Sequence, residues 1–158
     1  SDATNSICGG TMINDLQILT AAHCVVGKTT DKIGVIVGKT NAKSLNFHYV
    51  YKIDVYPFFD QNMEKMEAIE KNSDIAVLTL ETAVPLGPTV RGVWPICLPS
   101  FSDSSNTYEG ENGTVAGCGE DEDGKASVDQ LMGVDVPIIS NTQCKTFYQW
   151  LKRYSPFA

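Results

Sequence analysis

Short runs of β-branched and aromatic residues, broken by turn residues, dominate the first half of the chain. Ile7–Ile13 and Leu16–Ala22 flank Asn14-Asp15, a turn signal, and together predict a hairpin. Ile33–Val37 is a β-branched run closed by Gly38. Phe47–Tyr56 is rich in aromatic and β-branched residues and stops at Pro57, which predicts a long strand. Ile75–Leu80 predicts a buried strand. The stretch from Asp60 to Lys71 has another texture: Met63, Met66 and Ile69 recur every three positions among acids and lysines. That spacing suits a short surface helix or an extended loop, a solvated insertion in either case.

Prolines at 85, 88, 95 and 99 interrupt Glu81–Pro99, which lacks alternation and reads as a surface connector between two subdomains. Ser100–Asn112 is polar and loop-like, and Thr114–Cys118 and Leu131–Ile139 predict strands. Ser140-Asn141-Thr142-Gln143 offers a capping box, and Cys144, Phe147, Tyr148, Leu151 and Tyr154 then fall on one helical face. No internal repeat interrupts this order of strands, connector, strands and helix.

The chain has 158 residues, which suits one complete small domain or part of a larger one. With 42% hydrophobic and 20% charged residues it has the composition of a protein with a real core. The net charge of −7 repels phosphate backbones and anionic membranes, so neither nucleic acid nor a membrane is expected as a partner. No apolar run approaches the roughly 18–20 residues that span a bilayer. Ser1-Asp2-Ala3-Thr4 shows neither an initiator Met nor a signal segment; a mature protein, an excised domain and an incomplete sequence would all begin this way.

The five cysteines are Cys8, Cys24, Cys97, Cys118 and Cys144. No C-x-x-C pair and no Cys/His clip occurs among them, so no structural metal is expected. Their odd number leaves at least one thiol without an internal partner.

Two short blocks carry candidate chemistry. Leu19-Thr20-Ala21-Ala22-His23-Cys24 sets a histidine at the end of an apolar strand, beside a cysteine. A disulfide from Cys24 to Cys8, across the hairpin, would pin that strand end and contribute about 3 kcal/mol by loop closure. Rigidity suits a general base, which must stay within hydrogen-bond reach of its proton donor. Asn72-Ser73-Asp74-Ile75-Ala76-Val77-Leu78 opens an apolar strand with an aspartate, whose desolvation calls for a partner such as a histidine N–H. Taken singly, His23 also reads as a core histidine and Asp74 as a turn acid.

Together with their neighbours they read differently. Cys8-Gly9-Gly10-Thr11-Met12-Ile13, Thr20-Ala21-Ala22-His23-Cys24 and Asn72-Ser73-Asp74-Ile75-Ala76-Val77-Leu78 resemble the trypsin/chymotrypsin family of serine proteases, in that family's order. Ile96-Cys97-Leu98-Pro99, Thr114-Val115-Ala116-Gly117-Cys118-Gly119 and Val134-Asp135-Val136-Pro137-Ile138-Ile139 extend the resemblance to nearly the whole stretch from Cys8 to Cys144. It implies an all-β fold of two antiparallel β-barrels, the first nearly complete and the second truncated, with a short helix near the C-terminus. Residues 1–80 would form most of the first barrel, 81–112 the connector, and 113–158 the start of the second. It also implies a secreted endopeptidase that acts through an acyl-enzyme without a cofactor. His23 would be the general base and then the acid, and Asp74 would orient it. Polypeptide substrates and protein protease inhibitors would be the partners.

The resemblance also implies parts that these 158 residues do not contain. The family's serine sits in a Gly-Asp-Ser-Gly-Gly block after the segment matching Cys144, and no such block occurs here. Ser73, Ser127, Ser140 and Ser155 lie in other contexts, so this chain is expected not to hydrolyse peptides. The family's mature terminus, of Ile-Val-Gly-Gly type, has no match in the seven residues before Cys8. A fragment of an active protease is therefore expected; a catalytically silent homologue that binds or regulates, and a short secreted binding module, are the alternatives.

Cys144 would pair beyond Ala158 and Cys97 with a segment before Ser1. Cys118 replaces a tryptophan usual in the family and reads as a small buried hydrophobe or an unusual disulfide partner. Residues 39–52 hold no Asp or Glu, so no calcium loop is expected there. His48 lies in alternating strand sequence and reads as structural. Asn112-Gly113-Thr114 is an N-glycosylation sequon.

Overall fold

The computed structural model describes residues 8–38, 46–59, 73–87, 93–103, 105–117 and 131–154. The charged stretch 60–71 and Cys118 fall outside these residues. The chain forms two compact units, Ser1–Leu98 and Pro99–Ala158.

In the first unit β1 (Thr11–Met12) and β2 (Gln17–Thr20) form the hairpin expected around Asn14-Asp15, with Thr11 opposite Leu19 and Met12 opposite Ile18. Asn14 closes the turn: its Oδ1 accepts the Leu16 N–H at 2.9 Å, as Asx turns do. Strands β3 (Gly34–Val37), β4 (Asn46–Val55) and β5 (Ala76–Leu80) complete an antiparallel sheet in the order β1-β2-β5-β4-β3. The sheet is curled into a half-barrel, as a trypsin-like fold requires.

Period-two alternation fixes which face is inside. Ala76, Leu78 and Leu80 of β5 are buried, while Val77 and Thr79 between them are only partly covered. They pack with Ile18, Met12, Val50, Val84 and Val93 in one core cluster. Gly38 ends β3 at φ +67°, a conformation that costs most residues about 1–2 kcal/mol. A Cβ there would also meet Val93 Cγ2 at 2.8 Å.

One local expectation gives way. The strand predicted through Ala22 ends at Thr20, and residues Ala22–Val25 form a single helical turn, α1. Ala22 is fully buried and Val25 nearly so, three positions apart on one helical face, while His23 between them is exposed. Burying that pair selects the helical period over the extended one.

The connector from Glu81 holds no strand among its described residues, only an isolated bridge between Gly87 and Val93. In the second unit β6 (Asn112–Gly117) and β7 (Met132–Pro137) pair as an antiparallel ribbon. The helix α2 (Asn141–Tyr154) starts where the capping box places it. Ser140 Oγ accepts the Gln143 N–H at 3.1 Å, and Gln143 Oε1 accepts the Ser140 N–H at 3.2 Å. Phe147, Tyr148 and Trp150 remain exposed along it.

Candidate active site

The antiparallel pairing of β2 with β5 brings together two residues 51 positions apart. Thr20, the last residue of β2, lies opposite Ala76, the first of β5. His23 follows Thr20 by three residues and Asp74 precedes Ala76 by two, so both emerge from the same end of the sheet. Strand β5 is anchored by three buried side chains, and α1 by Ala22 and Val25. The two functional candidates therefore stand on rigid elements.

His23 Nδ1 lies 2.7 Å from Asp74 Oδ2, and the His23 backbone N–H donates to Asp74 Oδ1 at 2.8 Å. Both carboxylate oxygens thus face one residue. A carboxylate only accepts, so the neutral ring carries its proton on Nδ1 and keeps the Nε2 lone pair free. The His23 side chain is 56% exposed and that of Asp74 33%, so the imidazole meets solvent while its partner is more covered.

Asp74 titrates below the ordinary aspartate value. Partial burial, the largest single influence, pushes the other way. The His23 ring and backbone hydrogen bonds, the attraction of the His23 charge and the Ala22 amide together outweigh it. Because the folded-state value is depressed, stability from this carboxylate is fully present above the unfolded value of about 3.9 and lost as pH falls through the lower folded value. Asp74→Asn is expected to be less stable than wild type at pH 6, with the gap closing toward about pH 2. Urea midpoints across that range check it; a gap independent of pH contradicts it.

Cys8 and Cys24 are joined by a disulfide with a Cα separation of 6.3 Å. It ties the start of the β1–β2 hairpin to α1. Cys24 Sγ lies 3.5 Å from His23 Nε2. Cys8, His23 and Cys24 offer three donor atoms within 4.8 Å of one another, but the two sulfurs are bonded together and provide no thiolate for a metal. Cys97 and Cys144 carry free thiols, Cys97 exposed and Cys144 half-buried.

Two further side chains support the site and were not singled out for it in the sequence. Thr20 Oγ1 donates to the Gly9 carbonyl at 2.8 Å, closing the hairpin just before α1. Ser73, only 5% exposed, donates from Oγ to the Phe58 carbonyl at 3.2 Å, while Tyr56 N–H bonds the Ile75 carbonyl. The backbone is thus gripped on both sides of Asp74. A hydroxyl residue beside an acid that must be immobilised was the available signal. His48 sits in β4 opposite Val35, and its buried Nδ1 has no hydrogen-bond partner among the described residues. Asn112 belongs to the second unit and begins β6 rather than ending a loop.

The trypsin family model matches residues 1–154. The chain is 34% identical over 145 residues to the complement C1s subcomponent of Rattus norvegicus, covering 87% of this chain and 20% of that protein. It is 35% identical over 162 residues to the complement C1r-A subcomponent of Mus musculus, covering 95% and 21%. Trypsin zeta of Drosophila erecta is 29% identical over 152 residues, covering 90% and 47%. The chain therefore spans between about a fifth and about half of the length of these relatives. On this evidence the chain belongs to the trypsin family of serine proteases.

Proposed function

We propose that this chain is part of a secreted serine endopeptidase, with His23 as its general base and acid and Asp74 as the group that orients it. The observation that carries the reading is the 2.7 Å contact between His23 Nδ1 and Asp74 Oδ2. The serine comes from a Gly-Asp-Ser-Gly-Gly segment of the longer polypeptide, which these 158 residues do not include.

In the first half-reaction Nε2 takes the serine proton as Oγ attacks the peptide carbonyl. The resulting imidazolium, stabilised by Asp74, then donates that proton to the leaving amine. An acyl-enzyme remains. Water repeats the sequence, with Nε2 again accepting a proton, and releases the acid. Asp74 stays ionised throughout; its task is to hold the ring and its tautomer. The oxyanion donors belong with the serine segment, and no residue of this chain is given that role.

The domain organisation follows the same reading: residues 1–80 build most of the first barrel, 81–112 connect, and 113–158 begin the second. Polypeptides and protein protease inhibitors are the proposed partners. The net charge of −7 gives no footing for nucleic acid, and no helix among the described residues is long and apolar enough to cross a membrane.

The longer polypeptide is expected to hydrolyse peptide p-nitrophenyl esters with a burst of one product equivalent per active site, the signature of an acyl-enzyme. A soluble, disulfide-bonded protein with neither burst nor turnover would instead identify a silent homologue.

A further inference from the structure

We infer that Asn112 carries an N-linked glycan, projecting from the polar face of the β6–β7 ribbon. The inference rests on the secretory route proposed above, since the donor is found only in that compartment. Asn112-Gly113-Thr114 is the sole Asn-x-Ser/Thr triplet in the chain, and its middle residue is not proline.

The ribbon's register shows why a bulky group is tolerated at this position. Side chains alternate between faces along each strand, and directly opposed residues share a face. Asn112 opposes Pro137, Thr114 opposes Asp135, and Ala116 opposes Gly133. This face carries three polar residues with a proline, an alanine and a glycine, and Thr114 Oγ1 donates across it to Asp135 Oδ1 at 2.6 Å. The other face pairs Gly113 with Val136, Val115 with Val134, and Gly117 with Met132. That second face is the apolar one, and it is the face that further strands of a barrel would cover. The asparagine thus points away from the side on which a core would form. Its side chain is exposed, and its amide has no hydrogen bond among the described residues.

In the transfer, Asn112 Nδ2 bonds to the anomeric carbon of a polyprenyl-pyrophosphate-linked oligosaccharide. The bond from that carbon to the pyrophosphate oxygen breaks, the pyrophosphate leaves with the electron pair, and the amide nitrogen loses one proton. The Thr114 hydroxyl, which the sequon needs available, is engaged by Asp135 once the ribbon has formed. Modification therefore belongs to the extended chain, before the ribbon pairs.

The test is expression of the full-length protein in eukaryotic secretory cells, followed by peptide-N-glycosidase treatment in H₂¹⁸O and peptide mapping. Wild type is expected to show ¹⁸O-labelled Asp at position 112 and a fall in apparent mass. Asn112→Gln and Thr114→Ala are each expected to lose both signals, and Thr114→Ser to retain them. The Cys8–Cys24 disulfide, mapped in the same digest, reports passage through an oxidising lumen independently of the sugar and of proteolytic activity. Secreted, disulfide-bonded protein with unmodified Asn112 would overturn the inference and leave the protease reading standing. Protein lacking both the disulfide and the sugar would overturn the inference together with the secretory route.

Discussion

Asp74→Asn is expected to lower kcat of the longer, serine-bearing polypeptide about 10⁴-fold at neutral pH, with KM little changed. The amide is nearly the size of the carboxylate and still accepts the His23 backbone N–H, so the loop keeps its course. What changes is the partner offered to Nδ1. An amide NH₂ turned toward Nδ1 requires a lone pair there, which moves the ring proton to Nε2 and blocks its use as a base. The imidazolium of the transition state also loses its counter-charge. His23→Ala removes the base itself and is expected to cost about 10⁶-fold. Combining the two should add little to His23→Ala alone, because a residue that acts through the histidine has nothing left to orient. Steady-state kinetics on a peptide ester, normalised to folded protein, provides the measurement. An Asp74→Asn enzyme within tenfold of wild type would remove the aspartate from the mechanism.

The largest expected loss of stability follows from Leu80→Ala. Leu80 is 2% exposed and belongs to the cluster that includes Val50, Leu78, Val84 and Val93. It also closes β5, where its N–H bonds the Leu16 carbonyl. Truncation removes transfer energy and leaves a cavity that a sheet paired on both sides cannot collapse to fill. The cost is expected at about 2–5 kcal/mol. Thr79→Ala, on the opposite face of the same strand, is the control and is expected to cost well under half as much. Urea unfolding followed by circular dichroism separates the two; similar midpoints for both variants would place the core on the other side of the sheet. Leu80 stands at the end of β5 away from Asp74, so activity per folded molecule should survive.

Much of this arrangement was legible in the residues, for reasons that differ from element to element. The strands β4 and β5 were readable because aromatic and β-branched runs of adequate length stop at Pro57 and at the connector. The start of α2 was readable because Ser140 and Gln143 have the chemistry and spacing of reciprocal caps. The helical turn at His23 has no local signal, since Ala21-Ala22 continue an apolar strand without a visible break. Only the joint burial of Ala22 and Val25 tips the local balance toward a helix. Asn112 closes a polar, loop-like stretch of sequence; its pairing with Pro137 is a property of the ribbon, not of local propensity. The meeting of His23 with Asp74 was suggested by family order. Its physical cause, the opposition of Thr20 and Ala76, needed the sheet. The grip of Ser73 on Phe58 depends on a fifteen-residue separation that no local pattern encodes.

A serine-directed fluorophosphonate probe tests whether His23 activates the serine, because it reacts with a hydroxyl only where a neighbouring base has activated it. The longer polypeptide should be labelled stoichiometrically, its His23→Ala variant should be essentially unlabelled, and the 158-residue chain should not react. Equal labelling of wild type and His23→Ala would show that His23 does not activate the nucleophile, and labelling of the 158-residue chain would show that the nucleophile lies within it.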